Sequence, residues 1–175
     1  VLFRSIDPAG RKGIKPSTIK LLDGHKAVVA RDWPGAIAAY QAAVDLDAKD
    51  AECHYFLGAA YVGKNDFAAG DRELALALEL VGARDDVHLR VLYALADLRE
   101  RQGRLSDAKT LWADYEAFPA GHPRVKSYPA SATERARTID AHIEIARQYD
   151  GVKYRIEQRL KEVGAPPPDT MPGKK

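Results

Sequence analysis

The chain has 175 residues, 46% apolar and 30% charged, enough for one domain with its own core or for a short repeat array. Its net charge of +2 is spread over interspersed signs, which argues against a nucleic-acid surface, where phosphate neutralisation calls for clustered Lys and Arg. No run approaches the ~20 continuous apolar residues that cross a bilayer, and the lone cysteine, Cys53, excludes an intramolecular disulfide.

The pentapeptide Val1–Ser5 (VLFRS) reads as a translated sequencing-adaptor scar, so the natural N-terminus is expected to be missing. The compartment therefore stays open between the cytoplasm and export to the periplasm. Residues 1–16 together are expected to form a disordered segment.

Three segments then share one pattern: Asp32-Trp33-x-x-Ala36, Asp66-Phe67-x-x-Gly70 and Arg104-Leu105-x-x-Ala108. Each joins a polar and a large apolar residue, with a small residue three positions on. The small residues lie 34 and 38 positions apart, and a large one follows each after four more: Tyr40, Leu74 and Trp112. Such a period marks stacked supersecondary units. Each unit reads as two helices around a tight turn. In the middle unit Tyr55, Leu57, Gly58 and Tyr61 fall on helical spacing, and Gly63-Lys64-Asn65-Asp66 punctuates them. A second helical stretch runs from Phe67 through Leu80, with Leu74, Ala77, Leu78 and Leu80 as its apolar stripe. Small residues at Gly58, Gly70 and Ala77 let helices approach closely while Tyr61, Phe67 and Leu74 fill the space beside them. One helix pair cannot bury both faces, so a core requires pairs to stack.

These residues resemble the tetratricopeptide-repeat (TPR) family over roughly residues 17–118. In the middle unit the family's small, aromatic, small, apolar and alanine positions are Gly58, Tyr61, Gly70, Leu74 and Ala77. The first unit matches in Ala36, Tyr40 and Ala43; Gly24 fits its first helix, where Lys20, Asp23 and Ala27 replace larger apolar residues. The third keeps Gly103, Ala108 and Trp112 but has Tyr115 where alanine is usual, and its four extra residues, within Val81–His88, are expected to lengthen a connection. The resemblance implies an all-α solenoid of about three helical hairpins.

Phe118–Pro129 carries Pro119, Gly121, Pro123 and Pro129 and is expected to break helix, with residues 119–130 as a loop. Ser131-x-x-Glu134 then has the form of a capping box. It opens a long helix over 131–163 in which Ala136, Ile139, Ile143, Ala146, Tyr149, Val152, Ile156, Leu160 and Val163 recur at near-heptad spacing, with Gly151 a point where it could kink or split. Two roles stay open: a cap that shields the last repeat, or a coiled-coil helix that pairs with another chain, including a homodimer. Residues 164–175, with three consecutive prolines, are expected to be a disordered tail.

Motifs that carry chemistry are missing or misplaced. Gly58-Ala-Ala-Tyr-Val-Gly63-Lys64 imitates a phosphate loop, yet it sits inside a helix and is followed by Asn65 rather than Ser or Thr. Asp45-x-Asp47-x-x-Asp50 lacks the glycine and distal glutamate of a calcium loop. Cys53-His54 has no second ligand pair, and Cys53 reads as a half-buried thiol. His25, His88, His122 and His142 are scattered singly. No cofactor, metal or catalytic activity is expected.

The resemblance implies instead that first helices line a groove for a protein or peptide partner. Carried over by position, the lining residues are His25, Val28 and Val29, then Glu52, Tyr55, Ala59 and Val62, then Arg90, Tyr93, Asp97 and Arg101. The positions that clamp a chaperone's C-terminal carboxylate in some relatives read Leu21, His25, Phe56, Arg90 and Ala94, of which only Arg90 fits. The expected function is a binding scaffold, with a self-associating spacer as the alternative.

Overall fold

The computed structural model describes residues 13–122 and 124–163. The segment 1–5, expected to be a scar, and the expected tail at 164–175 lie outside the described residues. Within them every regular element is helical: α1 (Pro16–Val29), α2 (Trp33–Leu46), α3 (Ala51–Gly63), α4 (Phe67–Leu80), α5 (Asp85–Arg101), α6 (Leu105–Gly121) and α7 (Pro129–Glu162).

Contacts between helices define a solenoid. The pairs α1–α2, α3–α4 and α5–α6 are hairpins, and the second helix of each packs on the first of the next: α2 on α3, α4 on α5, α6 on α7. First helices also touch one another, α1 with α3 and α3 with α5, whereas α2, α4 and α6 make no such contact among the described residues. The first helices therefore form the tight inner wall of a curved rod and the second helices its splayed outer wall. A bundle around one closed centre would not separate the two sets.

Local chemistry sets each hairpin. Asp32 and Asp66 cap α2 and α4 by accepting from the backbone N–H of Gly35 and Ala69, at 3.0 and 3.1 Å. Each turn passes through one left-handed residue, Arg31 (φ 58°), Asn65 (φ 67°) and Gly103 (φ 74°), so the repeat extends to backbone conformation. Small residues then face large ones across each hairpin. A Cβ on Gly24 would strike the Tyr40 ring, and one on Gly58 would lie 2.8 Å from Leu74 Cγ and 3.2 Å from the Gly70 carbonyl. In the third unit the pair is Ala96 and Trp112, both fully buried in a core that also holds Leu74, Leu95, Leu98 and, from α7, Ala132 and Ile139.

Several expectations are corrected. The connections before α3 (residues 47–50) and before α5 (residues 81–84) are equally long, so the third unit's extra residues do not lengthen a loop. They add a turn to α5, Asp85–His88, which meets an extra turn of α6: the His88 and Phe118 rings are 4.6 Å apart, and His122 Nδ1 lies 2.9 Å from Asp85 Oδ2. That packing also keeps α6 helical through Pro119 to Gly121, where a break was expected. The expected loop is thus shorter, and α7 starts at Pro129 with Tyr128 at its N-cap. Pro129 presets the first helical φ, so the Ser131–Glu134 capping box does not form and Glu134 pairs with Arg137 at 2.8 Å. Gly151 does not split α7, which is one 34-residue helix. Cys53 is fully buried, not half-buried, because its side of α3 packs on α2.

Candidate functional site

Two hollows lie along the inner wall, one on each side of Tyr55. The first, about 420 Å³, is apolar and is lined by His25, Val28, Val29, Trp33, Phe56 and Ala59 with Tyr40 and Tyr55. Its floor is a set aromatic cluster. The Tyr40 hydroxyl and His25 Nδ1 hydrogen-bond at 2.6 Å, the His25 ring meets Phe56 edge-on at 4.4 Å, and Tyr40 stacks on Phe56 at 5.7 Å. Burial, reinforced by the charge of Tyr55, pushes the Tyr40 phenol up to about 12, so it stays a neutral hydroxyl over the physiological range.

The second hollow, about 470 Å³, is lined by Tyr55, Leu89, Arg90, Tyr93, Tyr115 and Tyr128, with Asp86, Arg124 and Lys126 at its rim. Tyr93 meets Trp112 and Tyr115 edge-on at 5.1 and 5.7 Å, and Tyr115 accepts a hydrogen bond from the Tyr128 backbone N–H at 3.3 Å. The segment after α6 is thereby held against the wall. Arg90 sits 5.4 Å from the Tyr55 ring centroid and donates to Glu52 at 3.0 Å and Asp86 at 3.1 Å. Glu52 also receives Arg84 at 2.6 Å. Burial pushes the Glu52 carboxyl up, but hydrogen bonds and charge from Arg84 and Arg90 outweigh it and hold the group below the ordinary range. Arg90 is thus neutralised from within, whereas Arg124 and Lys126 have no ion-pair partner among the described residues.

The sequence-derived groove positions divide. His25, Val28, Val29, Tyr55 and Ala59 line the first hollow, and Tyr55, Arg90 and Tyr93 the second. Glu52 lies behind them, spanning Arg84 and Arg90. Like Glu52, three more line neither hollow. Val62 turns inward to the Gly70 contact with α4. Asp97 receives Arg135 of α7 at 2.9 Å, and Arg101 covers the Phe67 ring at 5.0 Å from its centroid. Asp97 is consumed because α7 docks there, and Arg101 is turned to α4. Sequence reasoning missed Trp33, Phe56, Tyr115 and the Arg124–Tyr128 segment. Tyr115 did leave a signal, as a tyrosine at an alanine position; the Arg124–Tyr128 segment left none, since nothing local fixes its path back to α5.

The Cys53–His54 pair is structural. His54 Nδ1 bonds Glu73 at 2.8 Å and Nε2 faces the Ala48 carbonyl at 3.1 Å, tying α3 to α4 and to the preceding turn. No cluster able to hold a metal ion occurs among the described residues, and no helix of theirs is long and apolar enough to cross a membrane.

Serial hairpins, closed by small-against-large contacts and exposing an inner wall, define a helical-repeat solenoid. Within it, residues 32–65 match a family model described as TPR repeat, from the cap of α2 to the left-handed Asn65. Solved TPR domains share the fold. The TPR domain of Arabidopsis OM64 is 17% identical with a TM-score of 0.59, covering 72% of this chain and 95% of that domain. The TPR2B domain of yeast Sti1, solved as a pHsp70 complex, is 16% identical at 0.64, with 72% and 97% covered. The first TPR of Spaghetti (RPAP3), bound to the HSP90 peptide SRMEEVD, is 20% identical at 0.59, with 73% and 95% covered. No curated protein sequence matches the chain.

Proposed function

We propose that this chain is a non-catalytic interaction scaffold that takes a peptide or a partner helix along its inner wall, with Tyr55 as the divider between two anchor sites. The observation that carries this reading is the pair of adjoining hollows walled by rigid aromatic side chains, which offer contact area at small entropic cost. The ligand that fits has an aliphatic or aromatic anchor for the His25–Phe56 hollow. A second anchor enters among Tyr55, Tyr93 and Tyr115, with an acidic group beside it facing Arg124 and Lys126. The HSP90 and HSP70 peptides named with its structural neighbours are not the ligands proposed here. The positions that would clamp their carboxylates read Leu21, His25, Phe56, Arg90 and Ala94, and their single guanidinium is already engaged by Glu52 and Asp86.

Peptides selected from a displayed random library on the purified chain test this reading. Binding by fluorescence anisotropy is expected to weaken at least tenfold, about 1.4 kcal/mol, in Tyr55→Ala and Tyr93→Ala, with helicity by circular dichroism unchanged. Peptides that bind both variants as well as the parent would overturn it. A second reading, a self-associating spacer, is favoured by one observation: residues 141–162 of α7 project beyond the repeats.

A further inference from the structure

The last tie between α7 and the repeats is the ion pair of Asp140 with Lys109, at 2.6 Å. From residue 141 to 162, the hydrogen bonds and ion pairs of α7 stay inside the helix, as in Arg147–Glu144 and Gln148–Glu144. These 22 residues extend about 33 Å. A helix of this length without tertiary packing is marginal in water, and this one carries six of the thirteen exposed large hydrophobic residues of the described chain, with a seventh, Val163, at its C-cap.

Their placement follows a seam. Ile145, Tyr149, Val152, Ile156 and Val163 recur at alternating steps of four and three, with one heptad between the last two, and Ile145 and Tyr149 are 63% and 70% exposed. At ~100° per residue this line lies about 120° around the helix from Ala132 and Ile139, the face buried on the repeats. Along the docked part the same line reads Ser131, Glu134 and Thr138. The seam is therefore apolar only where the repeats no longer accompany it, so it is not a continuation of the α6 contact.

Charge indicates what covers it. Residues 140–150 hold three carboxylates (Asp140, Glu144, Asp150) against Arg147, whereas residues 153–162 hold four cations (Lys153, Arg155, Arg159, Lys161) against two carboxylates. A second copy laid antiparallel sets each acidic stretch beside the other's basic stretch; a parallel copy sets like against like. One midpoint, between Asp150 and Gly151, relates Ile145 to Ile156 and Tyr149 to Val152, so a single two-fold axis satisfies the seam.

We propose that two copies of this chain pair antiparallel through the projecting part of α7, Ile145 against Ile156 and Tyr149 against Val152 of the partner, with Arg155 beside Glu144 of the partner subunit. This deepens the spacer reading and rests on it. The repeat arrays then sit at opposite ends of the paired helices.

Sedimentation equilibrium of the full chain tests it, and the expected mass is twice that of one chain. Ile156→Glu is expected to give a monomer whose repeats keep the parent's thermal unfolding, since its side chain is exposed within one chain and lies outside their core. Arg155→Glu is expected to weaken pairing and Arg155→Glu with Glu144→Arg to restore it. Mixing Ile145→Cys with Ile156→Cys protein is expected to cross-link the two variants to each other and neither to itself; buried Cys53 does not compete. A wild-type monomer up to millimolar concentration overturns both this proposal and the spacer reading. A dimer that survives Ile156→Glu, or whose single-cysteine variants each cross-link to themselves, overturns the antiparallel seam and leaves self-association standing.

Discussion

Adding one methyl group at Gly58 tests how tightly α3 and α4 are locked. In an isolated helix Gly→Ala is favourable by about 1 kcal/mol, so propensity alone predicts that Gly58→Ala stabilises. The packing predicts the reverse. The new Cβ would lie 2.8 Å from Leu74 Cγ, 3.1 Å from the Leu74 backbone nitrogen and 3.2 Å from the Gly70 carbonyl oxygen. Two of these three atoms are backbone, so a rotamer change cannot relieve the overlap and the helices must separate. Overpacking of this kind costs about 1–3 kcal/mol. With the propensity gain deducted, a net loss of about 0–2 kcal/mol is expected, which lowers Tm by up to roughly 8 °C in a chain of this size. Gly151→Ala is the control: its Cβ would meet only Arg155 Nη1, at 3.8 Å. There propensity acts unopposed, and amide exchange across the projecting part of α7 is expected to slow. Thermal unfolding by circular dichroism reads the first, hydrogen exchange the second. A Gly58→Ala protein more stable than the parent, with the full propensity gain, would refute close helix contact as the basis of the hairpin.

Gly103→Ala is expected to cost about 1–2 kcal/mol in chemical denaturation: its φ of 74° penalises any Cβ although nothing lies within 4 Å of it. Burial, then the charges of Asp50 and Asp47, push the Cys53 thiol up to about 12, so a thiol reagent is expected to label it only as fast as the chain unfolds. Rapid labelling of native protein would contradict that burial. The Glu52 carboxyl is held below its ordinary value of 4.5 in the fold. Its contribution is therefore fully present above that value and is lost as pH falls through the lower folded value. Glu52→Gln is accordingly expected to flatten the loss of stability below pH 4.5 in urea midpoints measured across the acid range.

Much of the architecture was legible in the amino-acid order, because repetition makes each unit check the others. The 34-residue step from Ala36 to Gly70, with Tyr40 and Leu74 four positions on, needs a helix pair and a stacked neighbour, and both follow from side-chain size alone. The same order marked the turns at Asp32 and Asp66, whose carboxylates cap the helices they precede. It also placed Tyr55, Arg90 and Tyr93 on the inner wall, since helical phase carries over from one unit to the next.

What only the tertiary structure decided is where elements meet that share no period. The extra turns of α5 and α6 hold each other helical through His88, Phe118 and His122, overriding the local preference of Pro119. The second hollow needs Tyr115 and Tyr128 brought against Tyr93 by a segment whose own sequence signals only irregular backbone. The split of α7 into a docked and a projecting part depends on where α6 begins, because a helix is buried only as far as its neighbour runs. Periodicity is a property of successive residues and can be read from them; contact between distant residues depends on the relative lengths of elements, and only the folded chain sets those.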